Sequence, residues 1–269
     1  MKTYLSIIFS LFCTIGLIAQ DSVYVYKSGV VISKYSVNNL DSLSFNFTPL
    51  IRGKVSDIDG NTYNTLKIGT QIWMTENLKT SKFRIGESIS NITDNAVWNA
   101  ATFAAWCVYN NDPATGTKYG KLYNWYAVND SRKIAPVGWH VASDLEWTTL
   151  ENFLIANGGN YDGTVIGNKI SKALATNTDW NDGPVNAKEG AVCLDLSTNN
   201  SSGFSALPAG SFSGSQGEFF GLGFNANWWT STEFDATTAY RRYIKNVTQD
   251  EEKGSIDKYE GLSVRCIKD

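Results

Sequence analysis

"PVGWHVASDLEWTTLENFL", residues 136–154, decides how this chain is read, because its only histidine, His140, stands there beside a tight group of acids. Two readings compete. Either His140, Asp144 and Glu146 do chemistry, or the stretch builds the fold. The spacing points to the fold. Ser143-x-x-Glu146 is a capping box: the serine hydroxyl accepts from the Glu146 amide, and the carboxylate reaches back to the Ser143 amide. Asp144, at the first helical position, suits the positive end of the helix dipole. Trp147, Leu150 and Leu154 follow as one apolar stripe, and Asn157-Gly158-Gly159 supplies the stop. Trp139 and His140 are expected on a short strand entering this helix, with the indole in the core and the imidazole bonded to backbone. A catalytic histidine needs a nucleophile and an orienting acid arranged around it. No second histidine or nucleophile-elbow motif accompanies this one.

Working outward, "KLYNWYAV" (121–128) places Leu122, Trp125 and Tyr126 on one helical face, so a helix is predicted. "GKVSDIDGNTYNTLKIGTQIWMTENL" (53–78) alternates around Asp59-Gly60-Asn61 and Gly69-Thr70, which predicts strands joined by tight turns. "DIDGN" imitates the start of a calcium loop but lacks the later ligands and the closing glutamate, so it reads as a turn. Residues 160–223 form a long turn-rich region. "NWWTSTEF" (227–234), "AYRRYIKNV" (239–247) and "GLSVRCIKD" (261–269) read as strands, the last two separated by a polar turn "TQDEEKGS" (248–255). In the final strand Leu262, Val264 and Cys266 share one face.

The start of the chain reads differently. Lys2, an apolar run from Leu5 to Ile18 and Ala19 describe a secretory signal peptide over residues 1–20. The run is too short to span a bilayer comfortably, so no transmembrane segment is expected after cleavage. Export to the periplasm, the outer membrane or the exterior follows as an expectation. "DSVYVYKSGVVISKY" (21–35) is a hairpin pattern around Ser28-Gly29, and with "LDSLSF" (40–45) it makes a small β module over 21–48. Such a unit buries little surface and needs something to rest on.

The net charge of −3 carries no basic stripe, which argues against nucleic acid. Aromatics at 13 % suit a strand-containing fold whose core is filled by large rings. Beyond Cys13 the chain holds Cys107, Cys193 and Cys266, an odd set that in an oxidising compartment suggests one disulfide and one thiol. With one histidine and no C-x-x-C pair, neither a metal site nor a cofactor is expected.

"DIDGNTYNTLKIGTQIWMTENLKTSKF", "AWCVYNNDP", "YGKLYNWYAVND", "APVGWHVASDLEWTTL", "SGFSALPAG", "WWTSTE" and "GLSVRCIKD" follow one another as in the Fibrobacter succinogenes major paralogous domain family, which residues 52–269 resemble. More distantly, the family is similar to formylglycine-generating-enzyme and C-type-lectin-like folds. That resemblance implies an α+β, C-type-lectin-like domain with two helices, a small twisted antiparallel sheet joining its ends and a long loop region. Many members carry a cysteine where this chain has Ala135. The lectin-like resemblance implies a Cys107–Cys266 bridge instead, leaving Cys193 free. The paired cysteines that formylglycine-generating enzymes use are missing, so that activity does not carry across.

For function, Trp180-Asn181-Asp182 echoes a calcium- and sugar-binding motif of C-type lectins, but it lies too early in the chain and lacks a partner loop. The more attractive stretch is 225–240. Trp228 and Trp229 point to opposite faces of a strand, so one ring is expected outside, beside Asn227, Glu233 and Tyr240, where it would stack on a sugar. The alternative is that both rings pack. Glycosidase chemistry would need two facing carboxylates, for which Glu233 and Asp235 are close only in sequence. The leading expectation is an exported, non-catalytic recognition module for a glycan or a cell-surface protein. The others are a hydrolase on a formylglycine-generating-enzyme-like scaffold, using Glu233 or His140, and a structural subunit docked through residues 21–48.

Overall fold

The computed structural model describes residues 52–184 and 187–269 throughout, and before them only the backbone of four strands. Those strands are β1 (Ser6–Phe9), β2 (Cys13–Ile18), β3 (Ser22–Lys27) and β4 (Val30–Ser36), antiparallel in the order β1-β2-β3-β4. They belong to a first unit, Met1–Pro49, and the remainder forms a second, Leu50–Asp269. The signal peptide expected over 1–20, and the rest of the 21–48 module, involve residues outside those described.

The second unit opens with β5 (Arg52–Ser56), β6 (Thr62–Ile68) and β7 (Gln71–Met74), joined by the two expected turns. In "DIDGN" Asp57 organises the turn. Its Oδ1 accepts from the Asp59 and Asn61 amides at 3.0 and 2.9 Å, and its Oδ2 from Asn61 Nδ2 and the Tyr63 hydroxyl at 2.8 and 2.5 Å. These strands share a five-stranded sheet, ordered β11-β18-β7-β6-β5, with β11 (Trp139–Val141) and β18 (Cys266–Lys268). The start and end of the unit therefore lie in one sheet.

β11 leads into α4 (Asp144–Ala156), which has the capping box in full. Trp147, Leu150 and Leu154 are its buried residues, and Asn157 caps it before Gly158 at φ +79°. The stripe and the stop stand as predicted. "KLYNWYAV" does not form one helix: Leu122–Tyr123 is a strand, β10, paired with Cys107 and Trp106 of β9 (Ala105–Cys107). Asn124 interrupts the pattern. Its side chain accepts from the Ala127 amide, so the helix, α3, begins only at Trp125 and ends at Val128. β8 (Ser90–Asn91) completes a three-stranded sheet, parallel to β9. The other α-helices among the described residues are α1 (Asn95–Asn99), α2 (Pro113–Tyr119) and α5 (Ser171–Leu174).

A third sheet runs β13-β12-β14-β15-β16, from β12 (Ala209–Ser213), β13 (Glu218–Leu222), β14 (Asn225–Glu233), β15 (Thr238–Lys245) and β16 (Glu251–Asp257). β17 (Ser263–Val264) pairs with β14 in parallel. Three strands here correct the sequence reading. β12 and β13 lie in the stretch taken as loop, and β16 lies in the stretch taken as a polar turn. "EEKGSID" has no apolar alternation to reveal it. It is held by a continuous ladder to β15 and by Arg242, whose Nη1 lies 3.3 Å from Glu251 Oε2. The unit is α+β, with sheet dominating. Its three sheets include parallel pairs, against an expectation of one small antiparallel sheet.

The core has three clusters. Trp229 belongs to the first with Tyr63, Tyr123 and Cys266, and Trp228 to the second with Trp73, Trp147 and Phe204. Cys107 sits in the third with Trp98 and Phe212. The implied Cys107–Cys266 bridge is corrected here: Cys107, Cys193 and Cys266 are free, buried thiols, and the first and last belong to different clusters. Burial raises the pKa of both Cys107 and Cys266 above that of an ordinary thiol. Arg265 lies between β17 and β18, where the stretch 261–269, expected as a single strand, divides. Fully buried, it donates to Asn77 Oδ1 (2.9 Å) and to the carbonyls of Met74 (2.9 Å), Phe204 (2.8 Å) and Ser205 (3.0 Å). Among the described residues, no helix is long and apolar enough to cross a membrane.

Candidate functional site

The residues singled out around Trp228 do not make an open site. Trp228 and Trp229 are both 0 % exposed, and Asn227 is buried with its Oδ1 facing Arg241 at 3.3 Å. The Trp228 indole donates to Asn77 Oδ1 at 2.9 Å, and that of Trp229 to the Tyr123 carbonyl at 2.8 Å. The expected exposed ring is therefore corrected: strand alternation sends the two rings to opposite faces, and both faces are covered. Glu233 is ion-paired with Lys258, and Asp235 Oδ1 accepts from the amides of Thr237 and Thr238 in a turn. Both carboxylates therefore have partners within the protein. Tyr240 is partly buried, edge-on to Phe234 and under the Lys253 ammonium. Trp180 is core, its indole donating to the Ala206 carbonyl.

Another tryptophan does face an opening. In β9, Ala105 and Cys107 point into the third core cluster, and alternation turns Trp106 the other way. One side of the ring packs on the first cluster, and the indole N–H donates to the Ile89 carbonyl at 3.1 Å. The rest of the ring borders a cleft of about 370 Å³. That size lies within the range of about 300–1,000 Å³ found for small-ligand sites.

The cleft walls follow from local sequence. In "YNNDP" (109–113) Asn110 and Asn111 take φ of +53° and +54°, a left-handed conformation that asparagine tolerates better than most residues. Asp112 then caps α2 by accepting from the Ala114 amide, and Pro113 occupies the first turn. α2 lies close to the chain beneath it, because a Cβ on Gly116 would stand 2.5 Å from Val108 Cγ1. On the other wall Gly120, at φ +88°, passes so near Asn77 that a Cβ would meet its Cβ at 2.8 Å. The Lys121 amide then donates to the Leu78 carbonyl at 3.0 Å. This sets the Lys121 ammonium 4.2 Å over the Trp106 ring centroid, where it donates to the Lys79 carbonyl. Burial lowers the Lys121 pKa below the ordinary lysine value, against the opposing pull of Asp59 and Asp57.

The family model for the Fibrobacter succinogenes major domain matches residues 66–268, a span that takes in the cleft wall at Trp106 and the final strand. The chain belongs to that family. No curated protein and no solved structure matches it.

Within this Fibrobacter succinogenes major domain, the histidine of the 136–154 stretch is a clamp. His140 lies on β11 as expected, but its ring does not bond to backbone. Nδ1 is 2.7 Å from Asp269 Oδ1 and Nε2 is 2.8 Å from Glu146 Oε1. Burial opposes the charged imidazole, yet the bonds to Asp269 and Glu146 outweigh it and raise the pKa above the ordinary histidine value. A ring with both nitrogens held by carboxylates has no lone pair for a substrate proton. Asp144 is engaged as well, accepting from Arg242 Nε at 3.0 Å and Lys253 Nζ at 2.6 Å. Sequence reasoning singled out none of Trp106, Lys79 or Lys121. The signal it passed over was the asparagine pair and Asp-Pro cap in "YNNDP", which shape a wall three residues beyond that tryptophan.

Proposed function

We propose that this chain is an exported, non-catalytic recognition module that binds carbohydrate in the cleft beside Trp106. The observation that carries this reading is a half-buried indole on the wall of a cleft, with Lys121 over part of its face and polar side chains around it. A pyranose presents an apolar face of C–H groups to stack on such a ring, and its hydroxyls need amide and hydroxyl partners around it. The side chains of Asn91, Thr93 and Asn111 line the cleft and make no hydrogen bond among the described residues. The saturated nitrogens of His140 and the paired Glu233 support a non-catalytic role. Export rests on Lys2 and the apolar run to Ile18. A C-type-lectin-like arrangement is supported by the shared sheet of β5–β7 with β18 and by the long irregular stretch before β12. The glycan is free or carried on a cell-surface protein, and the 21–48 module is a candidate for docking the domain to its surroundings.

The test is calorimetric titration of the chain and of Trp106→Ala with a panel of soluble oligosaccharides. Binding by the parent, lost by at least about tenfold in a variant with unchanged circular dichroism, is the expected result. Oligosaccharide binding that survives Trp106→Ala would move the site elsewhere.

A further inference from the structure

We infer that the sugar taken by the Trp106 cleft carries a negative charge, as a uronic acid does. This rests on the carbohydrate reading above and adds the chemistry of the ligand. The charged side chains lining the cleft are Lys79 and Lys121, and no carboxylate lines it. That is a local reversal in a chain whose net charge is −3. The two acids nearest Lys121 in charge terms are already engaged outside the cleft. Asp57 is saturated by its own turn and the Tyr63 hydroxyl, and Asp59 accepts from Ser81 and pairs with Lys82 at 3.2 Å.

The hydrogen-bond inventory points the same way. Lys121 spends one of its three N–H groups on the Lys79 carbonyl, and the Lys79 ammonium has no acceptor among the described residues. Adding the amides of Asn91 and Asn111 and the hydroxyl of Thr93 gives a cleft richer in donors than in acceptors. An acceptor-rich ring with a carboxylate matches that excess. The position of Lys121 also selects for a ring. Its ammonium lies 4.2 Å over the Trp106 ring centroid and takes part of that face itself, so a ligand on the rest of the indole brings its substituents beside the cation. A neutral sugar would leave the Lys79 ammonium without a charged partner in the cleft. An acidic peptide would satisfy the charge but would offer no comparable flat face to the indole.

The experiment titrates the full chain with a galacturonate hexamer, its fully methyl-esterified counterpart, a sulfated disaccharide and poly-glutamate. The galacturonate hexamer is expected to bind at least about tenfold more tightly than the ester, and to weaken several-fold between about 0.05 M and about 0.5 M salt. Lys79→Gln should bring the acid down to the level of the ester, while Trp106→Ala abolishes both. Lys79 carries this arm because Lys121 also packs on the ring, where its replacement risks disturbing the wall. Sulfated disaccharide bound like galacturonate would keep the anionic requirement and place it on charge rather than on the carboxylate. Equal, salt-independent binding of acid and ester would overturn the charge requirement while leaving carbohydrate binding intact. Poly-glutamate bound as tightly as the hexamer, or no binding of any sugar tested, would overturn both.

Discussion

β14 and β9 each carry tryptophan between small or polar neighbours, and only one of them makes a surface. In β14 the Trp228 face is covered by Trp147 of α4 at 5.2 Å between centroids and by Phe204 at 5.9 Å. The opposite face, with Trp229, is closed by the segment around Tyr123. In β9 one side of Trp106 meets the core and the other meets the gap between α2 and the Lys79 segment. All three indole N–H groups have acceptors, so hydrogen bonding does not distinguish the strands. What distinguishes them is the number of layers laid over the strand. Alternation sets the direction of a side chain, and the rest of the chain decides whether anything covers it.

Truncating the rings separates the two strands most strongly. Trp228→Ala and Trp229→Ala should each destabilise by about 3–5 kcal/mol, the cost of a large core cavity. Trp106→Ala, which empties one wall of a cleft already open, should cost roughly 1–2 kcal/mol and act mainly on binding. Equilibrium urea unfolding with a common slope reads the difference. Losses of the same size at all three positions would mean that Trp106 is core and the cleft is a packing irregularity.

A second contrast concerns charge. The cleft holds its lysines half-buried and without a carboxylate in its lining, whereas the Trp228 side of β14 rests beside a buried ionic group. There Arg242 contacts Asp144, Glu151 and Glu251 at 2.8, 3.1 and 3.3 Å. Burial, only partly offset by Arg242, pushes the Glu251 carboxyl up to about 8, and its Oε1 has no partner in the described structure. A carboxyl raised in the folded state holds its proton where the unfolded chain has lost it. Its contribution to stability is therefore full below the unfolded value of 4.5 and is lost as pH rises toward about 8. Glu251→Gln should flatten that decline and be more stable than the parent by about 1 kcal/mol or more at pH 8.5, converging near pH 5. Urea midpoints across that range check it. A variant that is destabilised equally at both ends would show that Glu251 is held as a charged partner of Arg242.

These contrasts explain what the sequence disclosed. The capping box, the Trp147-Leu150-Leu154 stripe, the turns at 57–61 and 69–70 and the inward face of Leu262, Val264 and Cys266 are local patterns, and each has its predicted place. β16 was hidden because its stability comes from the ladder to β15 and from Arg242 rather than from apolar alternation. The third sheet also uses parallel pairings between distant segments, which leave no mark on either strand alone. The cleft was hidden for the same reason. Asn91, Trp106, Asn111 and Lys121 meet only once three chain segments are packed, and each taken alone is an ordinary residue.

The smallest expected effect lies at the histidine that first drew attention, and it separates the clamp from the cleft. His140 joins β11, α4 and the last residue, Asp269, through its two ring nitrogens. Its raised pKa means that the stabilisation is full below the unfolded histidine value of 6.5 and is lost as pH climbs through the raised folded value. The imidazole is 40 % exposed, so solvent screening limits the effect to less than about 1 kcal/mol. His140→Gln should therefore show its full deficit at pH 5.5 and approach the parent by pH 8.5 in urea unfolding. Oligosaccharide affinity should not change at either pH, because His140 does not line the Trp106 cleft. A deficit that grows with pH would mean that the neutral ring is the one the fold uses. In that case one nitrogen would be free to accept a proton, and the case against catalysis at residues 136–154 would lose its physical basis.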